Sequence, residues 1–162
     1  MEPCILRPPR SGDLGWIVQR HGVLYHEEYG WDARFEAVVA GIVAHFVQHL
    51  DPFRERCWIA EKDGENVGSV MLVRDAERED VAQLRVLLVE PKARGLGIGR
   101  RLVQECTHFA RQVAYRRITL WTDPELHAAR RIYEHEGYRL VREQRHDLFG
   151  DGRVGEVWEL VL

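Results

Sequence analysis

"VEPKARGLGIGRRL", residues 89–102, carries an apolar strand end through a proline into three glycines at alternate positions, Gly95, Gly97 and Gly99, with arginines on both sides. Upstream, the run at residues 81–90 reads as a strand. Downstream, Leu102, Val103, Cys106, Phe109 and Ala110 recur at helical spacing and predict a helix over residues 97–113. A strand that enters a helix through a glycine-permitted turn gathers backbone N–H groups at the positive end of the helix, which suits an anion. Arg94, with Arg100 or Arg101, adds charge-assisted hydrogen bonds. A nucleoside-triphosphate loop, GxxxxGK[ST], needs a lysine to reach the phosphates, and none follows. A dinucleotide loop needs GxGxxG and an acidic ribose partner about 20 residues on. Here the spacing is GxGxG, and the next strand carries no such partner. Another pyrophosphate carrier, or a plain glycine-rich turn, remains.

Working outward, "RRITLWTD" (116–123) is a short buried strand, so strand, helix and strand here form a parallel unit with a right-handed crossover. Before it, residues 57–61 and 67–73 read as a hairpin turning through Asp63-Gly64, with residues 81–90 as a third antiparallel strand. After it, "PELHAARRIYEHEGY" predicts a helix with Pro124 at its start and Gly137 as its stop. Strands at residues 138–147 and 154–161 close the chain. At the N-terminal end, residues 4–6 form a short strand. One or two helical pieces punctuated by Gly22 follow and end near Glu28. Asp32 then caps a helix whose Phe35, Val38, Val39, Ile42, Val43, Phe46 and Val47 form an apolar stripe, stopped by Asp51-Pro52. The fold class is α/β (α+β): a mixed, mostly antiparallel sheet of about six to seven strands with helices on both faces.

A chain of 162 residues suits a single domain spanning residues 1–162. A net charge of -3 gives no bulk attraction to nucleic acid or an anionic membrane. No apolar run approaches the roughly 18 residues of a membrane span, and no apolar stretch follows a basic N-terminus. A cytoplasmic protein is the expectation. Cys4, Cys57 and Cys106 are odd in number and far apart, so neither a disulfide framework nor a thiolate metal site is suggested. His45 and His49 lie four apart on a helix flank, but HExxH and a third ligand are missing, so no metal is expected.

Residues 94–99, Arg-Gly-Leu-Gly-Ile-Gly, match the [QR]xxGx[GA] signature of the GNAT superfamily of N-acetyltransferases, and they lie between the fourth strand and the third helix as in that family. "AARRIYEHEGY" resembles its second acetyl-CoA motif through Ala129, Ile132, Tyr133, Gly137 and Tyr138. The two motifs cover about residues 84–138. "YGWD", "ERCWIAE", "LWTDPELHAARRIY" and "VGEVWEL" further resemble the acetyltransferase half of bacterial proteins in which a MarR-type regulator is fused to a GNAT domain. No winged helix is present in this sequence, so DNA binding does not carry over.

The resemblance implies a GNAT fold and transfer of an acetyl group from acetyl-CoA to the primary amine of a small molecule or protein. A non-catalytic acyl-CoA sensor is the other reading. The main chain of Arg94, Gly95, Leu96, Gly97, Ile98, Gly99 and Arg100 would bind the pyrophosphate, Leu87, Leu88 and Val89 would pair with the pantetheine, and Ala129 would pack against it. A main-chain N–H of Val89 or its neighbour would polarise the thioester. Tyr133 takes the place of the family's general acid, against the plain reading of a core aromatic. Glu28 is the candidate base, and Tyr25, Tyr29 and Trp31 form one wall of the acceptor pocket, unless these aromatics simply anchor two helices. Residues around Phe149 would form the opposite wall. Leu126 stands where many relatives carry a pantetheine-binding asparagine. Dimers are common in the family, so a homodimer is an expectation it carries.

Overall fold

A computed structural model describes residues 3–162. One seven-stranded sheet carries every other element. Its strands are β1 (Ile5–Arg7), β2 (Arg56–Lys62), β3 (Glu65–Arg74), β4 (Val81–Val89), β5 (Arg117–Thr122), β6 (Arg139–His146) and β7 (Arg153–Val161), in spatial order β1-β2-β3-β4-β5-β7-β6. Only β4 and β5 run parallel, which is the crossover expected around the glycine loop. The closing strand β7 inserts between β5 and β6, a placement the order of elements along the chain does not reveal.

Four helices cover the two faces: α1 (Asp13–Tyr29), α2 (Ala33–Gln48), α3 (Ile98–Gln112) and α4 (His127–His135). Strand alternation divides the core between them. On β3, Val70 and Leu72 join Leu102, Cys106, Phe109 and Ile118 on the α3 side, while Met71 and Val73 meet Ile17, Val39, Val43 and Phe46 on the α1 and α2 side.

Helix α1 is continuous, where residue signals suggested one or two pieces. Gly22 does not interrupt it, because the missing side chain makes room for α2. A Cβ there would lie 2.4 Å from the Glu36 carboxylate. The helix stops at Gly30, which takes a left-handed φ of 74°. The Gly30 and Trp31 N–H groups donate back to the His26 and Tyr25 carbonyls. Asp32 then caps α2 by accepting from the Arg34 N–H at 3.0 Å. At the other end of the chain, α4 begins at His127 rather than Pro124. The Asp123 carboxylate accepts the Glu125 N–H at 3.0 Å and holds residues 123–126 in a turn.

A buried polar knot fixes α1 to the sheet. Arg7 donates to Asp13 at 2.7 Å, to Glu61 at 3.0 Å and to the Asn66 side-chain oxygen at 3.0 Å. Burial alone would raise the Asp13 carboxyl. The Arg7 guanidinium, the Arg10 N–H and the Asn66 amide outweigh it and hold the pKa at about 2. A second clamp, Arg20 bidentate to Glu90 at 2.7 and 3.1 Å, ties α1 to the end of β4.

Candidate active site

The site opens where β4 and β5 part. Their pairing runs from Val81↔Arg117 to Leu84↔Leu120 and stops. Beyond it, β4 carries a bulge: Met71 pairs with Arg85 and Ser69 with Leu88, so β4 has one residue more than β3 over this interval. Val86 takes a left-handed φ of 51°, and its carbonyl accepts the buried Ser69 hydroxyl at 2.7 Å. Strained backbone at a β-branched residue persists only where its surroundings hold it, and such positions concentrate at functional sites. The bulge turns the rest of β4 away from β5 and leaves one strand edge uncovered.

The Glu90 N–H donates to the Val67 carbonyl of β3 at 2.8 Å. By alternation along an antiparallel strand, Leu88 also turns its N–H and carbonyl toward β3, while Leu87 and Val89 turn theirs into the split.

A cavity of about 450 Å³ runs from this edge along the glycine loop, lined by Leu87, Leu88, Val89, Gly95, Gly97, Ile98, Gly99 and Ala129. Gly95 and Gly97 have φ of 79° and 77°, and a Cβ on either would meet nothing. They are glycine because of backbone conformation. Gly99 is glycine because of packing, since a Cβ would lie 2.9 Å from Ile132 of α4 and 3.4 Å from Val89. The Arg94 N–H bonds to the Pro91 carbonyl and the Arg101 N–H to the Gly97 carbonyl. The N–H groups of residues 95–100, between them, have no acceptor among the described residues. Six consecutive unsatisfied donors at a helix start form a cradle for an anion.

The arginines divide their roles. Arg94 lines this cavity and is held by Glu28 at 2.6 Å, and Arg100 reaches Glu136 at 2.8 Å. Arg101 turns away to the Cys4 carbonyl. Leu96 stands outside the cavity, 58% exposed. Arg131, within the second motif, also lines the cavity.

A second cavity of about 430 Å³ lies on the other side of the split and shares Tyr25, Leu87, Leu126 and Ala129 with the first. Its wall is aromatic. Trp31 packs on Phe35 and Phe149 with ring centroids 4.7 and 4.6 Å apart, and Trp121 meets His146 at 4.6 Å. Tyr25 and Trp31 belong to this wall, whereas Tyr29 and Glu28 line the glycine-loop cavity instead. Phe149, expected on the opposite wall, packs directly on Trp31 and Phe35 and so belongs to the same aromatic cluster. Arg85, Asp123, His45 and His146 also line the cavity, and the sequence reading did not single them out for it. Arg85 alone left a local signal, a charge inside the apolar run "LRVLLV".

Tyr133 is 4% exposed and faces the second cavity from α4. Burial, with Tyr25 and Cys106 nearby, pushes its phenol well above the ordinary value, so it is protonated at neutral pH. The His21 Nδ1 lies 2.7 Å from the Ile17 carbonyl, an acceptor only, so the ring carries its proton there and leaves Nε2 with a lone pair. Burial lowers its pKa to about 4, despite the Ile17 hydrogen bond, and the ring is neutral.

The family model of the acetyltransferase (GNAT) family matches residues 16–138. The chain is 26% identical over 149 residues to spermidine N(1)-acetyltransferase of Escherichia coli (strain K12), covering 91% of this chain and 79% of that one. It is 32% identical over 91 residues to N-acetylaspartate synthetase of Xenopus tropicalis, covering 56% of this chain and 33% of that protein. This chain spans about a third to a half of the length of several such curated relatives. A putative acetyltransferase, yncA from Salmonella typhimurium, solved with acetyl-CoA, superposes with a TM-score of 0.76 at 15% identity, over 99% of this chain and 95% of that one. Among the described residues, no group of three or more metal-ligating side chains lies together, and no helix is long and apolar enough to cross a membrane. The split sheet, the glycine-loop cradle and a family match spanning most of the chain together make this protein a member of the GNAT acetyltransferase family.

Proposed function

We propose that the chain transfers an acetyl group from acetyl-CoA to the primary amine of a small molecule, by direct attack of the amine on the thioester. The observation that carries this reading is the join of two cavities at the open edge of β4, one lined by unsatisfied N–H donors and the other by aromatic rings. Acetyl-CoA supplies the activated acyl group. The N–H groups of residues 95–100, with Arg94, hold its pyrophosphate, and Glu28 orients Arg94 rather than acting on the amine. Leu87 and Val89 present main-chain groups to the pantetheine amides as a sheet edge does to an added strand. The Val89 N–H faces the split and donates to the acyl oxygen as charge develops there, a contribution of about 3 kcal/mol. Leu126 and Ala129 pack where the two cavities meet. With an apolar leucine in place of a polar side chain, main-chain contacts carry the hydrogen bonding.

Tyr133 donates its phenolic proton toward the departing sulfur. On the acceptor side Asp123 is bound by Arg153 at 3.0 Å, so it is not a free base. The amine reaches the thioester through the neutral His21 Nε2, which accepts a hydrogen bond from it, and water carries the proton away. A thiol-release assay with acetyl-CoA and a panel of amines tests the reading. Turnover with at least one small amine is expected. Tight acetyl-CoA binding without turnover on any amine would instead make the chain an acyl-CoA sensor, the role suggested by its likeness to regulator-fused domains.

A further inference from the structure

Arg85 is the unmatched charge of the acceptor cavity. The bulge turns both Arg85 and Val86 to the α1 and α2 side of β4, two residues before Leu87, where the cavities meet. The guanidinium makes no hydrogen bond and no ion pair among the described residues. Burial weakens its hold on its proton, although an arginine keeps its charge at any ordinary pH. Asp75, the one acidic group that acts on it, is already occupied by the Glu77 and Arg78 N–H groups and lies 3.7 Å from the Arg78 guanidinium. A half-buried charge without a partner has lost part of its hydration, and a ligand of opposite charge in the cavity replaces it.

The rest of the wall agrees in sign. Asp123 is neutralised by Arg153, and His21 is neutral. The His146 Nδ1 accepts the Leu148 N–H at 3.2 Å, so Nε2 carries the ring proton, and that atom is buried without an acceptor. The indole N–H of Trp31 is likewise buried without one. Two N–H groups of this wall are thus buried without an acceptor, Arg85 has no protein partner among the described residues, and no carboxylate is free to receive a second ammonium. A polyamine would find no counter-charge here. The aromatic rings require an apolar body.

We propose that the acceptor is an amine that also carries a carboxylate on an apolar or aromatic body, as an apolar amino acid does, with Arg85 binding the carboxylate. This rests on the acetyl-transfer reading for its chemistry, but its recognition step is measurable alone. Thiol release and calorimetric binding, both with CoA-type ligand present, compare L-phenylalanine with phenethylamine, which differ only in the carboxylate, and with spermidine. Wild-type protein is expected to favour L-phenylalanine over phenethylamine by roughly 30-fold or more in kcat/KM and in affinity. Arg85→Gln should erase that ratio through KM, and Arg85→Lys should restore part of it. Equal or better use of phenethylamine or spermidine, or a ratio that survives Arg85→Gln, overturns the proposal. The wild-type comparison decides even where a variant fails to fold. Carboxylate-dependent binding without turnover would sustain the inference while sinking acetyl transfer, and absence of that binding would sink the inference.

Discussion

Tyr133 and Gly97 are both motif residues, yet they meet different physical constraints in the fold. Tyr133 is buried, protonated and turned to the cavity wall, which a core aromatic alone does not require. Tyr133→Phe keeps the ring and its packing and removes only the donor. We expect kcat to fall about 100-fold with KM for acetyl-CoA little changed, read by steady-state thiol release. Undiminished turnover would remove the tyrosine from the mechanism. Gly97 sits in the left-handed region with open space around it, so Gly97→Ala meets no atom and strains only the backbone. Its cost should be about 1–2 kcal/mol in denaturant unfolding. Weaker acetyl-CoA binding should accompany it, because the loop must hold its N–H groups together. The glycine conformation was legible from spacing, whereas Gly99 owes its identity to Ile132, 33 positions away, and only packing reveals that.

At the scale of elements, two glycines separate soft contacts from hard ones. A Cβ at Gly155 on β7 would lie 2.3 Å from the Trp121 indole nitrogen, with further ring atoms at 2.6 and 2.8 Å. That ring is flat, stiff and part of the acceptor wall. Gly155→Ala should therefore cost about 1–3 kcal/mol and disturb acceptor KM more than acetyl-CoA KM, measured by unfolding and by two-substrate kinetics. At Gly22 the crowding atoms belong to Glu36, a flexible side chain that can swing out. Alanine also gains up to about 1 kcal/mol of helix propensity over glycine. Gly22→Ala should be neutral or stabilising by melting temperature, and a loss above about 1 kcal/mol would show that α1 and α2 cannot readjust. Gly22 looked like a helix interruption in sequence because a glycine's local weakness is visible there and its neighbour on α2 is not.

For the whole molecule, acid stability turns on the knot that joins β1, α1, β2 and β3. The folded pKa of Asp13, about 2, lies below the ordinary 3.8. The unfolded state thus binds the proton more readily, and the stabilisation is present above about pH 4 and lost as the pH falls toward 2. The shift corresponds to about 2 kcal/mol. Urea midpoints taken from pH 6 to pH 2.5 should fall accordingly, and Asp13→Asn should flatten the slope; an unchanged slope would exclude the knot as its source. By itself, the sequence determined the helix–strand order, the hairpin at Asp63-Gly64, the cap at Asp32, the glycine loop and its family. Each is written in spacing or in backbone preference over a few residues. Only the tertiary structure decided the bulge at Val86, the place of β7, the pairing of Glu28 with Arg94 and the unmatched charge of Arg85. Those depend on which distant side chains desolvate a group or complete its hydrogen bonds, and a local pattern does not contain that information.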